Sequence, residues 1–360
     1  MTSQPLVSVV TPVYNGAAYL AECIESVQRQ GYGNYEHVIL NNASNDDTRA
    51  IAESYARRDR RIRVITNEAT LPIIENWNRS MRLISDASVY CKVLHADDTL
   101  YPHCLEEMMR VALAHPSVGL VGSLRQRGEE VECGGLPADR EAFPGVEIAR
   151  LFLAQKVFSL APSSGLIRAD LVRARYPAFY PTQFLHADLA AYFDLLDRVD
   201  YGFVHQLLCF SRKHETSVTS TVAERNQTLM REWLVFLRDY GPRYFNAAEL
   251  AELERAHLRR YYRLLVRGAV TGRGGSFLRY HLEGLKAAKR VPNAFGLSRA
   301  VAAEVAAAIS NPGKLYHVLS GRQPPRPPRE PEPPDVPIAP LLSAAQDHPA
   351  QHHSPPPGKP

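Results

Sequence analysis

A doubly wound, mostly parallel α/β sheet followed by helices is the fold class this 360-residue sequence predicts. Two patterns and one bulk property point to it. Through about the first 125 residues, short apolar runs alternate with stretches of helical periodicity, as β–α units stacked into a parallel sheet require. From about residue 222 to 318 the periodicity is helical only. Hydrophobic residues make up 45% and charged residues 22%, an ordinary globular composition that excludes collagen, coiled coil and wholesale disorder.

The elements follow in order. Leu6 to Val10 is a short apolar strand, and Leu20, Ile24 and Val27 after it share one helix face. His37 to Leu40 is a second strand. Ser44 or Asn45 is placed to cap the next helix, with Asp46 and Asp47 in its first turn, where carboxylates favour the helix dipole. Ile62 to Ile65 is a third strand, followed by a helix with Ile74, Trp77, Met81 and Ile84 on one face. Val89 to Leu94 is a fourth strand, a helix covers about Pro102 to His115, and Val118 to Val121 is a fifth strand. Residues 145–215 mix short helices with a strand from Gly202 to Ser211. Tyr244 to Arg267 and Ser276 to Arg290 read as basic amphipathic helices, and Arg299 to Ile309 as an alanine-rich one.

Residues 322–360 hold 14 of the chain's 27 prolines and little apolar area, which predicts a disordered tail. The expected division is a sheet domain over 1–218, a helical extension over 219–321 and the tail. No apolar run reaches 18 residues, so no transmembrane helix is expected. The N-terminus lacks a secretory pattern. Five scattered cysteines without C-x-x-C spacing argue for a reducing compartment and against a disulfide framework or zinc cluster. A cytoplasmic protein is therefore expected.

The net charge of +4 is too small to demand a nucleic-acid partner, and none is expected. Between Arg255 and Arg290, however, ten Lys and Arg stand against one acid, Glu283. Such a segment suits the anionic inner face of a membrane; it suits equally a solvated helix face.

In a doubly wound sheet, ligands bind beyond the carboxyl ends of the strands. Three loops there carry chemistry. After strand four, His95-Ala96-Asp97-Asp98 sets two carboxylates side by side. Their repulsion is relieved by a divalent cation with oxygen ligands, Mg²⁺ or Mn²⁺. The other reading is a helix cap at Asp98. After strand one, residues 11–16 offer Pro12 and the aromatic face of Tyr14 to a flat base. After strand two, residues 41–48 offer amide side chains. Neither G-x-G-x-x-G nor G-x-x-x-x-G-K-[ST] occurs, so dinucleotide and P-loop binding are unsupported.

These motifs, in this order, resemble the family 2 glycosyltransferases. Residues 7–16 resemble the family's opening strand and loop, and residues 41–48 its D-[DN]-x-S-x-D-x-T loop. Glu75-Asn76-Trp77-Asn78 resembles the N-W-N segment of one subgroup, and residues 94–98 the D-x-D-type motif. Asp188 stands where the family has its acidic [ED]-D motif before a helix, and Arg212-Lys213-His214 resembles its R-x-H element. The likeness spans about residues 5–218. It implies a GT-A fold, a Rossmann-like doubly wound sheet that binds nucleotide-sugars.

It also implies an inverting transfer of a hexosyl or deoxyhexosyl group from a nucleotide-diphosphate sugar to a glycan or lipid-linked acceptor hydroxyl, in cell-surface polysaccharide or glycolipid synthesis. Pro12, Tyr14 and Asn41 would hold the base. Asp97 would lie near the ribose and diphosphate, and Asp98 would bind the divalent cation. Arg212 would meet the diphosphate and His214 the metal, although on residues alone a surface salt bridge and a surface histidine serve as well. Asp188 would be the general base, or else another helix cap. Two positions depart from the family pattern. Asn41 replaces an acid, which leaves a UDP-sugar as the first expectation with GDP and dTDP open. His95 replaces a further acid; it could be a metal ligand or a strand-end residue, and reads first as the latter. These departures motivate the alternative of a catalytically weak sugar-nucleotide-binding or scaffold protein of the same fold.

Overall fold

A computed structural model describes residues 4–157, 161–214, 219–290 and 294–310. The proline-rich segment 322–360 lies outside the described residues. In chain order the elements are β1 (Val7–Val13), α1 (Leu20–Gln28), β2 (Tyr35–Asn41), α2 (Thr48–Ala56), β3 (Ile62–Thr66), α3 (Ile73–Met81), β4 (Tyr90–Val93), β5 (Thr99–Leu100) and α4 (Cys104–Ala114). There follow β6 (Val118–Arg127), β7 (Glu130–Glu132), β8 (Ala142–Phe143), α5 (Gly145–Leu153), β9 (Leu166–Arg168), α6 (Ala169–Arg173), α7 (Ala187–Leu195) and β10 (Asp200–Ser211). The helices α8 (Thr228–Asp239), α9 (Gly241–Tyr244), α10 (Ala247–Val270), α11 (Gly274–Ala287) and α12 (Ala294–Ser310) complete the described chain.

The sheet runs β3-β2-β1-β4-β9-β6-β10-β5. β3, β2, β1 and β4 are parallel, as the β–α alternation predicts, and the long β6–β10 pair is parallel too. Between the two blocks lies β9, antiparallel to both β4 and β6. Its three residues are too few to show a period, so it is not legible in the sequence. Strands β1, β2 and β4 are buried along nearly their whole length, which is why they read as continuous apolar runs.

The predicted face of α1 is buried, while on that of α3 Ile74 and Met81 are buried and Trp77 is half-buried. Leu20, Ile24 and Val27 of α1 are fully buried. Some boundaries differ: α3 ends at Met81, before Ile84, α10 starts at Ala247, not Tyr244, and α2 starts at Thr48, not after Ser44 or Asn45. The Asp46 carboxylate accepts the Thr48 N–H at 3.0 Å and the Ala17 N–H at 3.1 Å, so residues 44–47 fasten a loop instead of beginning a helix. In α10 the start is set by a capping box. Asn246 accepts the N–H groups of Ala248 and Glu249, and Glu249 accepts that of Asn246, each at 3.0 Å.

The later helices have their own apolar cluster, with Leu234, Tyr261, Tyr262, Leu265 and Leu285 buried in it. They also pack on the sheet domain. Phe193 of α7 meets Trp233, Phe236 and Tyr240 of α8, and the Trp233 Nε1–H donates to the Leu153 carbonyl at 3.2 Å. Among the described residues no helix is long and apolar enough to cross a membrane.

Candidate active site

The loops at the carboxyl ends of β1 and β2 are laced together. Asn15 N–H donates to Ser44 Oγ at 2.9 Å, Gly16 N–H to Thr48 Oγ1 at 2.8 Å, and Asn45 N–H to Asn15 Oδ1 at 3.0 Å. Gly16 is needed there, since a Cβ would sit 2.5 Å from Val13 Cγ2 and 3.5 Å from the Cβ of Ala96. The β1 loop therefore lies against the β4 loop. Tyr14 is 52% exposed and projects from this platform, while Pro12 is buried in β1. Asn41 is only 1% exposed. Its amide carbonyl accepts the Ser44 N–H at 3.1 Å, so it shapes the loop from within.

The β4 loop gathers the carboxylates. Asp98 caps no helix, because β5 follows it and α4 begins at Cys104. It is a buried residue whose Oδ2 accepts the hydroxyls of Ser163 and, at 3.1 Å, Ser211, while Oδ1 accepts the Arg212 N–H at 3.1 Å. Burial raises the Asp98 pKa, the neighbouring Asp97 charge raises it further, and the His95 charge and the Ser163 hydroxyl oppose them. Asp97 is more open and meets His214 Nε2 at 3.0 Å.

His95 does not simply end the strand. Its ring lies on Trp77, with centroids 4.9 Å apart, and its buried Nε2 finds no hydrogen-bond partner among the described residues. His95, Asp97 and Asp98 each offer a ligand atom within 4.8 Å of the other two, and His214 stands outside that group. The donor set fits a divalent cation: two carboxylates and an imidazole converge, one nitrogen is orphaned, and burial, then the Asp97 charge, pushes the Asp98 carboxyl toward its neutral form. The sequence had paired Asp98 with His214 for this task.

Beneath this loop is Lys92, fully buried in β4. Its Nζ donates to the carbonyls of Ser163 at 2.6 Å and Gly165 at 3.1 Å. The lysine thus tethers the 3-10 turn Pro162–Ser164, whose Ser163 hydroxyl holds Asp98. Neither residue was singled out from sequence, although a lone lysine inside the run Val89 to Leu94 was a visible signal.

The N-W-N segment has a physical use. Asn78 clamps the backbone of Tyr180, donating to its carbonyl at 2.8 Å and accepting its N–H at 2.7 Å. Asn76 Oδ1 accepts from Asn67 at 3.0 Å, and Asn67 also donates to Asn42 at 2.7 Å. Between the two asparagines, Trp77 is fixed with one side against His95 and its edge relation to Tyr180 at 5.7 Å.

Asp188 is the second residue of α7, in the first turn and not at the cap position, which is His186. Burial raises its pKa, opposed first by the His186 charge, then by the Leu189 N–H and by the His95 charge. Asp188 is thus near enough to His95 and Tyr180 to exchange electrostatic influence with both. Arg212 turns away from them: its guanidinium pairs with Glu22 and lies over the Tyr19 ring at 4.8 Å. The expected diphosphate contact is therefore occupied by an ion pair.

Residues 8–174 match the family model described as Glycosyl transferase family 2. An uncharacterized glycosyltransferase of Haemophilus influenzae is 31% identical over 134 residues, covering 37% of this chain and 41% of that protein. The O-antigen biosynthesis protein RfbC of Myxococcus xanthus is 33% identical over 128 residues, 34% of this chain and 10% of that protein. The chain therefore spans less than half the length of either relative. Two solved structures share the fold. S. aureus TarS 1-349 in complex with UDP-GlcNAc has TM-score 0.58 and 15% identity, covering 78% of this chain and 81% of that one. The mannosyltransferase PcManGT of Pyrobaculum calidifontis in complex with GDP-Man and Mn²⁺ has TM-score 0.53 and 17% identity, covering 89% and 85%.

Proposed function

Residues 8–174 form a family 2 glycosyltransferase domain, and from that premise we propose that the protein moves a sugar from a nucleotide-diphosphate donor to an acceptor hydroxyl with inversion. The observation that carries this reading is the convergence of His95, Asp97 and Asp98 at the carboxyl end of β4. These three residues would hold Mn²⁺ or Mg²⁺, in place of the Asp98–His214 pair. When bound, such a cation supplies Lewis-acid stabilisation of the departing diphosphate. His214 orients Asp97 through its hydrogen bond. Ser163, Ser211 and the Arg212 N–H fix the Asp98 carboxylate.

Asp188 accepts the proton of the acceptor hydroxyl. Burial raises its pKa, which makes its carboxylate a stronger proton acceptor. Tyr14 offers a stacking face to the nucleotide base, with Pro12 beneath it. Asn41 acts on the base indirectly, by shaping the loop it sits in. UDP- and GDP-sugars both remain candidates, in keeping with the donors bound by the two structural neighbours. The relative named for O-antigen biosynthesis supports a place in surface polysaccharide assembly, where the acceptor would be a glycan or lipid-linked hydroxyl at the cytoplasmic face of the membrane. Exposed Phe295, Val301 and Val305 of α12, beside the basic helices α10 and α11, suit peripheral contact with an anionic bilayer.

The test is a thermal-shift screen of UDP, GDP, dTDP and their sugars with and without Mn²⁺. Donor at a hundred times its dissociation constant adds about 2.7 kcal/mol of stability. A metal-dependent shift confined to one base, abolished in Asp97→Ala, is the expected result. Binding without turnover of any donor would favour the non-catalytic, sugar-nucleotide-binding reading.

A further inference from the structure

The entrance to α7 is held from outside the sheet domain. Glu232 of α8 accepts the N–H of Leu185 at 2.8 Å through Oε1 and the N–H of His186 at 3.0 Å through Oε2. The same Oε2 meets the His186 Nδ1 at 2.9 Å. Its side chain is 13% exposed, so these bonds are shielded from water. His186 makes no capping bond with its own side chain, and the helix entrance is instead held by a carboxylate borrowed from another helix. Asp188 lies two residues on.

The clamp is braced on both sides. Phe184, just before it, packs on Phe236 at 5.1 Å, and Phe193, just after it, packs on Trp233 and Phe236 at 6.3 and 5.7 Å. The neighbouring Arg231 stacks on Tyr280 of α11 at 4.6 Å and fills the space over Gly284, where a Cβ would lie 2.7 Å from it. One turn of α8 thus joins the helical extension to the segment carrying Asp188.

We propose that Glu232 is the positioning residue for Asp188, so that the helical extension fixes the geometry of the proton-accepting wall of the site. This rests on the reading of Asp188 as the proton acceptor. Removing the carboxylate leaves two backbone N–H groups and an imidazole without their acceptor in a shielded place. The first turn of α7 then samples other conformations, and the base is misplaced while the nucleotide side is untouched. Misplacement of a reacting group by about 1 Å costs on the order of 10²-fold in rate.

The experiment uses the full chain as wild type, Asp188→Asn, Glu232→Ala and Glu232→Gln. Release of nucleoside diphosphate from UDP-GlcNAc and GDP-mannose with Mn²⁺, water serving as acceptor, gives kcat and KM. Titration with UDP and GDP gives nucleotide affinity, and hydrogen exchange reads the peptide spanning 184–190. The expected result is a kcat loss of about 10-fold or more in Glu232→Ala, in the direction of Asp188→Asn, with KM and nucleotide affinity unchanged. Exchange at 184–190 should quicken while that at 95–98 does not. Glu232→Gln, which keeps the shape and one good acceptor, should recover part of the loss.

A wild-type kcat in Glu232→Ala beside an inactive Asp188→Asn overturns the inference alone. A parallel fall of kcat and nucleotide affinity overturns it too, since that is general loosening. Should Glu232→Ala fail to fold, Glu232→Gln decides: lowered kcat at full nucleotide affinity supports the clamp, and wild-type kcat removes it. Full activity in Asp188→Asn, or no turnover of either donor by wild type, instead takes down the proton-acceptor reading and the inference built on it.

Discussion

The two walls of the candidate site are built in opposite ways. The 95–98 wall ends a central strand and is secured from below by the sheet itself: Lys92 holds the 163–165 turn, and that turn holds Asp98. The 185–188 wall begins a helix at the margin, and its entrance is secured by Glu232 from beyond β10. A pair of acids at a strand end needs rigid support, because their repulsion would otherwise push them apart. A single acid at a helix start can be placed by whatever grips the start. On the proposed reading, the metal-binding half of the chemistry is housed in the sheet, and the proton-accepting half depends on the helices that follow.

The largest effect that sharpens this contrast is expected from Asp188→Asn. Turnover should fall about 10²- to 10⁴-fold while nucleotide affinity stays at the wild-type level. Initial rates and a nucleotide titration check it, and an unchanged rate would break the division between the walls. On the other wall, Ser163→Ala should lower Mn²⁺ affinity about 10- to 100-fold, the usual cost of losing an outer-shell partner, and Asp97→Ala should lower it more. Calorimetric titration with Mn²⁺ in the presence of nucleotide reads both. Equal loss of Mn²⁺ affinity in Glu232→Ala would erase the contrast.

Next in size is Lys92→Met, which leaves the Ser163 and Gly165 carbonyls without their donor. A cost of about 1–3 kcal/mol, or a Tm drop of about 2–10 °C, is expected by scanning calorimetry. A separate prediction, read by pH, concerns acid stability. Burial lowers the His37 pKa from 6.5 to about 3 and the His257 pKa from 6.5 to about 4. The folded chain refuses protons that the unfolded chain binds, so stability is whole above pH 6.5 and declines as the pH falls. The decline is about 1.4 kcal/mol per pH unit per histidine, ending near pH 4 for His257 and near pH 3 for His37. His257→Gln should flatten the pH 6.5 to 4 limb of a Tm profile, and His37→Gln should flatten it further down. Identical profiles for both variants and wild type would contradict the burial account.

Legibility in the sequence followed locality. The first four sheet strands and their helices were readable because each buries a periodic face within its own segment. The β9 strand was not, since its place is decided by β4 and β6 and by nothing in its three residues. The loop bearing Asp97 and Asp98 is legible from adjacency of like charges, whereas for His95 the residues alone leave a ligand and a strand end both open. What marks His95 is spatial: Trp77 beneath it and a nitrogen with no partner. Arg212 was visible as a cation near the site, but its pairing with Glu22 depends on α1 lying alongside. Glu232 was invisible, because nothing in a helix sequence says which backbone its carboxylate will meet.

Trp77 gives this site a voice of its own. The chain holds two tryptophans. Trp233 is 3% exposed among the aromatic rings of α7 and α8, well away from the strand-end loops. Trp77 lies ring to ring with His95, the imidazole of the cluster with Asp97 and Asp98. Emission from a Trp233→Phe chain would therefore come from one fluorophore touching one prospective ligand. A paramagnetic ion drawn into the cluster would shorten its excited-state lifetime, and a diamagnetic one would shift its colour instead. Light from a single indole then reports the filling of the site in real time, with no label, no donor and no turnover required.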